Sequence, residues 1–194
     1  MIIGITGSFG AGKGTVVKYL IEKHAFKHYS IGDAIREEIM RRNLPLERDS
    51  YIVVGNDLRA ARGPAHLVNA SYERARKEGG DAIIESLRAV AEVQRIKELG
   101  GVVLGVDAYP EIRYQHILGR GGEKDDVSFE QWLDQERRET NPNDSAKQDI
   151  FGALKESDYI IPNNGTVEEL HTEIDEVLEK IQKAQKPPLN SSNE

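Results

Sequence analysis

Residues 7–15 read Gly-Ser-Phe-Gly-Ala-Gly-Lys-Gly-Thr. The six residues before them, Met-Ile-Ile-Gly-Ile-Thr, form a short apolar run of the kind that makes a buried strand. After them Val16, Val17, Leu20 and Ile21 recur at helical spacing. Strand, glycine-rich loop and helix in that order are the context that makes such a pattern a phosphate site. Gly7, Gly10, Gly12 and Gly14 let the backbone bend around an anion and aim successive N–H groups at it, with Ala11 small enough not to intrude. The start of the following helix adds partial positive charge. Lys13 is then placed to reach the β- and γ-phosphates of a nucleoside triphosphate. The hydroxyl that would hold a magnesium ion is displaced by one position, because Gly14 stands between Lys13 and Thr15.

The 194 residues suit one domain of moderate size with a real core. We expect a single domain over 1–185, with an acceptor-binding segment at about 31–78 and a lid at about 113–138. The polar, proline-broken 186–194 is expected to be a disordered tail. The net charge of −7 gives no global basic footprint for nucleic acid, and none is expected as a partner. The absence of cysteine excludes disulfides and thiolate metal sites. No stretch has the pattern of a signal peptide or approaches a membrane span, so a soluble cytoplasmic protein without membrane partners is expected.

Further along, 26–30, 81–85, 102–106 and 158–161 are short strand-like runs, and 31–42, 51–62, 64–77, 90–99 and 109–118 have helical character. Residues 119–126 are polar and glycine-rich. Ser128 with Gln131, and Thr166 with Glu169, have the spacing of capping boxes. Residues 145–155 read as another helix, and Leu170, Ile174, Val177, Leu178 and Ile181 form the apolar stripe of the last one. Strands alternating with helices, several of the strands apolar throughout, predict an α/β fold with about five parallel strands, helices on both faces and a short helical lid. Ligands of such sheets bind beyond the carboxyl ends of the strands. Lys13, Asp33, Arg88 and Asp107 all follow or close predicted strands there.

Asp33 is placed to orient or deprotonate an acceptor or to hold magnesium through water; equally, it would cap its helix or pair with an arginine. Arg36 lies one helical turn on, Arg88 follows the third strand, and Arg59 and Arg62 share a helical face. Arginines hold a phosphate bidentately, so these four are candidates for the anionic end of an acceptor. Glu85 and Asp107, each at a strand end, compete with Asp33 for the cation. Arg120 in the glycine-rich loop and Arg137 just after it suit a lid that closes over transferring phosphates. None of the five histidines has a partner at metal-ligand spacing, and Trp132 reads as a packing residue.

The loop at 7–15, with Lys-Gly-Thr at its end, and the segment Tyr-Ser-Ile-Gly-Asp-Ala-Ile-Arg at 29–36 resemble the adenylate kinase family of nucleoside monophosphate kinases. Ile-Glu-Ser-Leu-Arg at 84–88 stands where that family has an Asp-Gly-Phe-Pro-Arg strand end. Residues 157–170 resemble dephospho-CoA kinases and an archaeal group of kinase-like P-loop proteins, and 55–59 and 121–138 are similar to that archaeal group. The resemblance implies a P-loop NTPase fold of three layers, with ATP and Mg2+ as cofactors. It places Gly7, Gly10, Gly12, Lys13, Gly14 and Thr15 on the ATP phosphates, and the turn carrying Asn164 near the ATP base. It further implies Arg36 and Arg88 on an acceptor phosphate, and Arg120 and Arg137 around the ATP and the transferring group. Ile31, Glu85 and His116 depart from the family, which has threonine, aspartate and often arginine there.

The expectation is an ATP- and magnesium-dependent phosphotransferase that converts a nucleoside or deoxynucleoside monophosphate to the diphosphate. Lys13, Asp33, Arg120 and Arg137 are its catalytic candidates, and Thr15 and Glu85 its metal candidates. A kinase with a hydroxyl acceptor, of the dephospho-CoA type, is the alternative, with Asp33 as base. A regulatory ATP-binding protein with weak ATPase activity is the alternative from another class. Oligomeric state stays open.

Overall fold

The computed structural model describes residues 1–119, 128–138 and 140–185. Five strands form one wholly parallel sheet in the order β2-β3-β1-β4-β5. They are β1 (Ile2–Gly7), β2 (Lys27–Ser30), β3 (Ala82–Leu87), β4 (Val102–Asp107) and β5 (Tyr159–Pro162). The helices are α1 (Lys13–His24), α2 (Ile31–Arg41), α3 (Arg48–Arg62), α4 (His66–Glu78), α5 (Val90–Glu98), α6 (Pro110–Leu118), α7 (Phe129–Arg138), α8 (Ile150–Lys155) and α9 (Val167–Gln185). β1 lies at the centre, buried along nearly its whole length, as its apolar run requires.

Side chains alternate across the sheet and feed two cores. On one face Ile3, Ile5, Leu104, Val106 and Ile161 pack against α1 and α9, whose stripe of Leu170, Ile174, Val177, Leu178 and Ile181 is buried as the spacing predicts. On the other, Ala82, Ile84, Leu87 and Val103 pack with the apolar faces of α2, α3, α4, α5 and α8. The arrangement is the α/β fold expected from the alternation of elements, and it has the layers that the resemblance implies.

Both predicted capping boxes form. Ser128 and Gln131 exchange hydrogen bonds of 3.0 and 3.3 Å, and Thr166 and Glu169 exchange bonds of 2.7 and 3.2 Å. Trp132 is buried, under the guanidinium of Arg113. The expected helix over 145–155 is shorter: α8 begins at Ile150, because Asp149 caps it by accepting from the Gly152 N–H at 3.1 Å. The Asp149 N–H is itself drawn off to the Arg88 carbonyl at 2.7 Å. Residues 120–127, with Arg120, and the tail 186–194 lie outside the described residues. Among the described residues no helix is long and apolar enough to cross a membrane.

β3 carries an irregularity that bears on the site. Ile5 pairs with Glu85 but Thr6 pairs with Leu87, so Ser86 is an extra residue, with φ of +72°. The bulge is pinned by the Thr6 hydroxyl, which donates to the Leu87 carbonyl at 2.8 Å. It separates Glu85 from Arg88 at the carboxyl edge next to the 7–15 loop.

Candidate active site

The loop between β1 and α1 is braced from outside. The carbonyls of Phe9, Gly10 and Ala11 accept, in turn, from Arg113 Nη1 at 3.3 Å, His116 Nδ1 at 2.9 Å and Asn163 Nδ2 at 3.0 Å. Because a carbonyl oxygen only accepts, the His116 contact fixes its Nδ1–H tautomer. In a trans peptide the next N–H points opposite to the carbonyl, so holding three consecutive carbonyls from α6 and the turn after β5 turns the N–H groups of Gly10, Ala11 and Gly12 the other way. The Ala11 N–H closes back on the Ser8 carbonyl at 3.2 Å. Lys13 Nζ donates to the Gly7 and Ser8 carbonyls at 2.8 and 2.9 Å, so the loop itself sets the position of its ammonium.

Gly12 is the N-cap of α1 and contributes no side-chain cap, so the helix start faces the loop bare. It has φ of +92°, and a Cβ there would overlap the amide of Asn163. Gly12→Ala therefore combines left-handed strain of about 1–2 kcal/mol with displacement of the Ala11 brace. Since 1.4 kcal/mol is about tenfold, its affinity for a non-hydrolysable ATP analogue should fall roughly tenfold or more, measured by calorimetric titration. Unchanged affinity would mean that this conformation is not what the anion reads.

Thr15 sits in the first turn of α1, with its N–H on the Gly12 carbonyl at 2.9 Å. Glu85 borders a cavity of about 370 Å3 together with Gly14, Lys18 and His28. Burial raises the Glu85 carboxyl, but hydrogen bonds from His28, at 3.3 Å, and from Ser86 outweigh it and hold the group below its ordinary value. Glu85 is thus an ionised carboxylate beside the loop. A hydroxyl and a carboxylate flanking a phosphate cradle are hard oxygen donors, the set that suits Mg2+ shared with substrate phosphates. Among the described residues no three or more His, Asp or Glu side chains gather into a cage.

Among the residues expected to meet an acceptor, Asp33 occupies the first turn of α2 but does not cap it. Ser30 does, accepting from the Asp33 N–H at 3.3 Å, and the Asp33 side chain stands exposed. Arg36 is exposed and makes no ion pair among the described residues; the nearby Glu38 is taken by Arg41 and Arg42, which hold its carboxyl at about 2. Arg62 is exposed, 3.5 Å from His66. The half-buried Arg88 stands just past β3, the strand beside β1.

Two expected site residues are placed elsewhere. Arg59 is not at the surface: its side chain is 1% exposed and pairs with the fully buried Glu92 at 2.8 Å. It lies on the inward face of α3 with Val54, Gly55 and Leu58, so it is no acceptor ligand. Arg137 pairs with Asp134 of its own helix at 2.9 Å. It lines a cavity of about 570 Å3 with Tyr109, Phe151 and Asn164, none of it formed by the 7–15 loop. Asn164 is turned toward α6, accepting from the Tyr109 N–H at 2.7 Å. Asp107 Oδ1 lies 3.7 Å from Arg113 Nε. Sequence reasoning assigned no bracing role to His116, Asn163 and Arg113 and no part at Glu85 to His28. Their contacts span 57 to 152 positions and leave no local pattern.

Comparison with known proteins bears on the family and the fold. The profile of a family described as an AAA domain matches residues 3–146. A UPF0200 protein of Pyrobaculum aerophilum is 32% identical, covering 91% of this chain and 96% of its own. One from Pyrococcus horikoshii is 30% identical, covering 93% and 97%. Among solved structures, a shikimate kinase from Bacteroides thetaiotaomicron superposes with a TM-score of 0.55 over 94% of this chain and 98% of its own, at 14% identity, a likeness of fold.

Proposed function

The chain belongs to the UPF0200 family and has the fold of P-loop kinases, and from that premise we propose that it transfers the γ-phosphoryl group of ATP to a nucleoside or deoxynucleoside monophosphate. The observation that carries this proposal is the pairing of a braced phosphate loop with a second set of cations. Arg36 and Arg88 follow β2 and β3 at the same sheet edge. A protein that only sensed ATP would need no second anion site.

In this scheme the N–H groups of Gly10, Gly12, Lys13 and Gly14, with the Lys13 ammonium, hold the ATP phosphates, and the base lies by the turn that carries Asn164. Thr15 and Glu85 would hold Mg2+, which would supply charge neutralisation for the transferring phosphates. Arg36 and Arg88, with Arg62 at the rim, hold the acceptor phosphate. One of its oxygens attacks the γ-phosphorus in line, the bond from that phosphorus to the bridging oxygen breaks, and ADP leaves. A phosphate oxygen needs no strong base, so positioning and charge neutralisation are the catalysis. Arg120 is assigned to the transferring phosphates on resemblance alone.

A hydroxyl acceptor is the second possibility, favoured by one observation: the Asp33 carboxylate is exposed and has no side-chain partner among the described residues. Asp33→Asn separates the two. A monophosphate acceptor predicts a fall in kcat/KM of less than about tenfold, whereas a hydroxyl acceptor that uses Asp33 as base predicts about 100- to 10,000-fold. Coupled ADP release over a panel of monophosphates and dephospho-CoA reads both.

A further inference from the structure

We propose that Arg59 and Glu92 are positioning residues for Arg88, acting through its main chain. Each carboxylate oxygen of Glu92 has a separate task. Oε1 accepts from Arg59 Nε at 2.8 Å. Oε2 accepts the N–H groups of Arg88 and Ala89, at 2.7 and 3.1 Å. On its other side the Arg88 carbonyl accepts the Asp149 N–H at 2.7 Å. The peptides flanking Arg88 are therefore clamped from two directions, and its side chain leaves the backbone from a fixed point.

The buried charges have no stability rationale of their own. An apolar pair of similar volume would fill the same space as well, because burying two ions costs most of what their attraction returns. Arg59 is nearly fully enclosed, and its Nη2 finds no partner among the described residues. An apolar pair could not, however, accept two main-chain N–H groups at the turn after β3. Glu92 also sits at the third position of α5 and reaches back to its N-cap, which orients the helix start. Arg59 in turn holds Glu92 turned toward that N-terminus. The pair reaches further still: Arg59 Nη1 lies 3.5 Å from Asn56 Oδ1, which accepts the Gln148 N–H at 3.3 Å. One buried node thus joins α3, α5 and the segment entering α8 around the residue assigned to the acceptor phosphate. The proposal rests on that assignment of Arg88.

The test fills the ATP site with Mg2+ and a non-hydrolysable ATP analogue and titrates inorganic phosphate as the acceptor-side probe. Arg88→Ala should weaken phosphate at least tenfold. Glu92→Gln, isosteric, and Arg59→Lys, which keeps the charge, should each weaken it about fivefold while analogue affinity stays within twofold. In the double variant Glu92→Gln/Arg88→Ala, phosphate binding should be no weaker than in Arg88→Ala alone. Unchanged phosphate affinity in Glu92→Gln and Arg59→Lys, with Arg88→Ala impaired, overturns the positioning role and spares the acceptor assignment. Full additivity in the double variant, or equal loss of analogue and phosphate, means that the pair only supports the fold, and also overturns it. Phosphate affinity insensitive to Arg88→Ala, or absent in the wild type, defeats the acceptor assignment and this inference together.

Discussion

Lys13→Ala should lower acceptor-stimulated ADP release by about 100- to 1,000-fold, the loss seen when one preorganised donor is removed from a developing charge. Lys13 is the first residue of α1, where alanine is at least as good a helix former, so the fold has no reason to fail. Its ammonium is held by the Gly7 and Ser8 carbonyls, which places it before any nucleotide arrives. Such a group costs no reorganisation when the phosphates enter, and its removal leaves the negative charge of the transition state without that cation. Steady-state rates should collapse while the melting temperature moves by only a few degrees. A variant that keeps most of its rate would show that this loop is not the donor site.

The largest effect on stability is expected at Arg113. Its guanidinium is nearly buried and pairs with both carboxylate oxygens of Glu136, so that α7 is tied to α6. It also donates to the carbonyls of Ala108, at 3.0 Å, and Phe9, at 3.3 Å, and stacks 4.9 Å over the Trp132 ring. Arg113→Met leaves Glu136 buried and uncompensated, which should cost about 3–5 kcal/mol. At about 2–4 °C per kcal/mol for a chain of this size, melting should fall by about 6–20 °C. Adding Glu136→Leu should return much of the loss, because well-packed apolar pairs replace buried ion pairs at little cost. It should not return ATP-analogue affinity, since the Phe9 carbonyl has still lost its brace. Recovery of both would mean that Arg113 is a packing residue with no hand in the loop.

These residues mark where the sequence was legible. The central strand, the loop and α1 could be read because they are contiguous and their periods change sharply at Gly7 and Lys13. Capping boxes are equally local, and both formed where Ser128 and Thr166 stand. Arg59 misled because spacing alone says that two residues share a face, not which way the face points. The inward direction was available from Val54, Gly55 and Leu58 on the same stripe, but its partner Glu92 is 33 positions away. Ser86 gives no warning of a left-handed backbone, since the bulge is dictated by its pairing with β1 rather than by its own side chain. The roles of His28 and His116 left no trace at metal-ligand spacing because their partners, a carboxylate on the next strand and a loop carbonyl, meet them only in the folded chain.

The central claim is tested most directly by following the label of [γ-32P]ATP. The protein is incubated with Mg2+ and a mixture of common ribo- and deoxynucleoside monophosphates, and the products are separated by anion exchange. We predict label in the terminal phosphate of one nucleoside diphosphate, formed in step with ADP and lost in Lys13→Ala. Label released only as inorganic phosphate, at a rate indifferent to every monophosphate, would contradict the proposal of an acceptor site at Arg36 and Arg88.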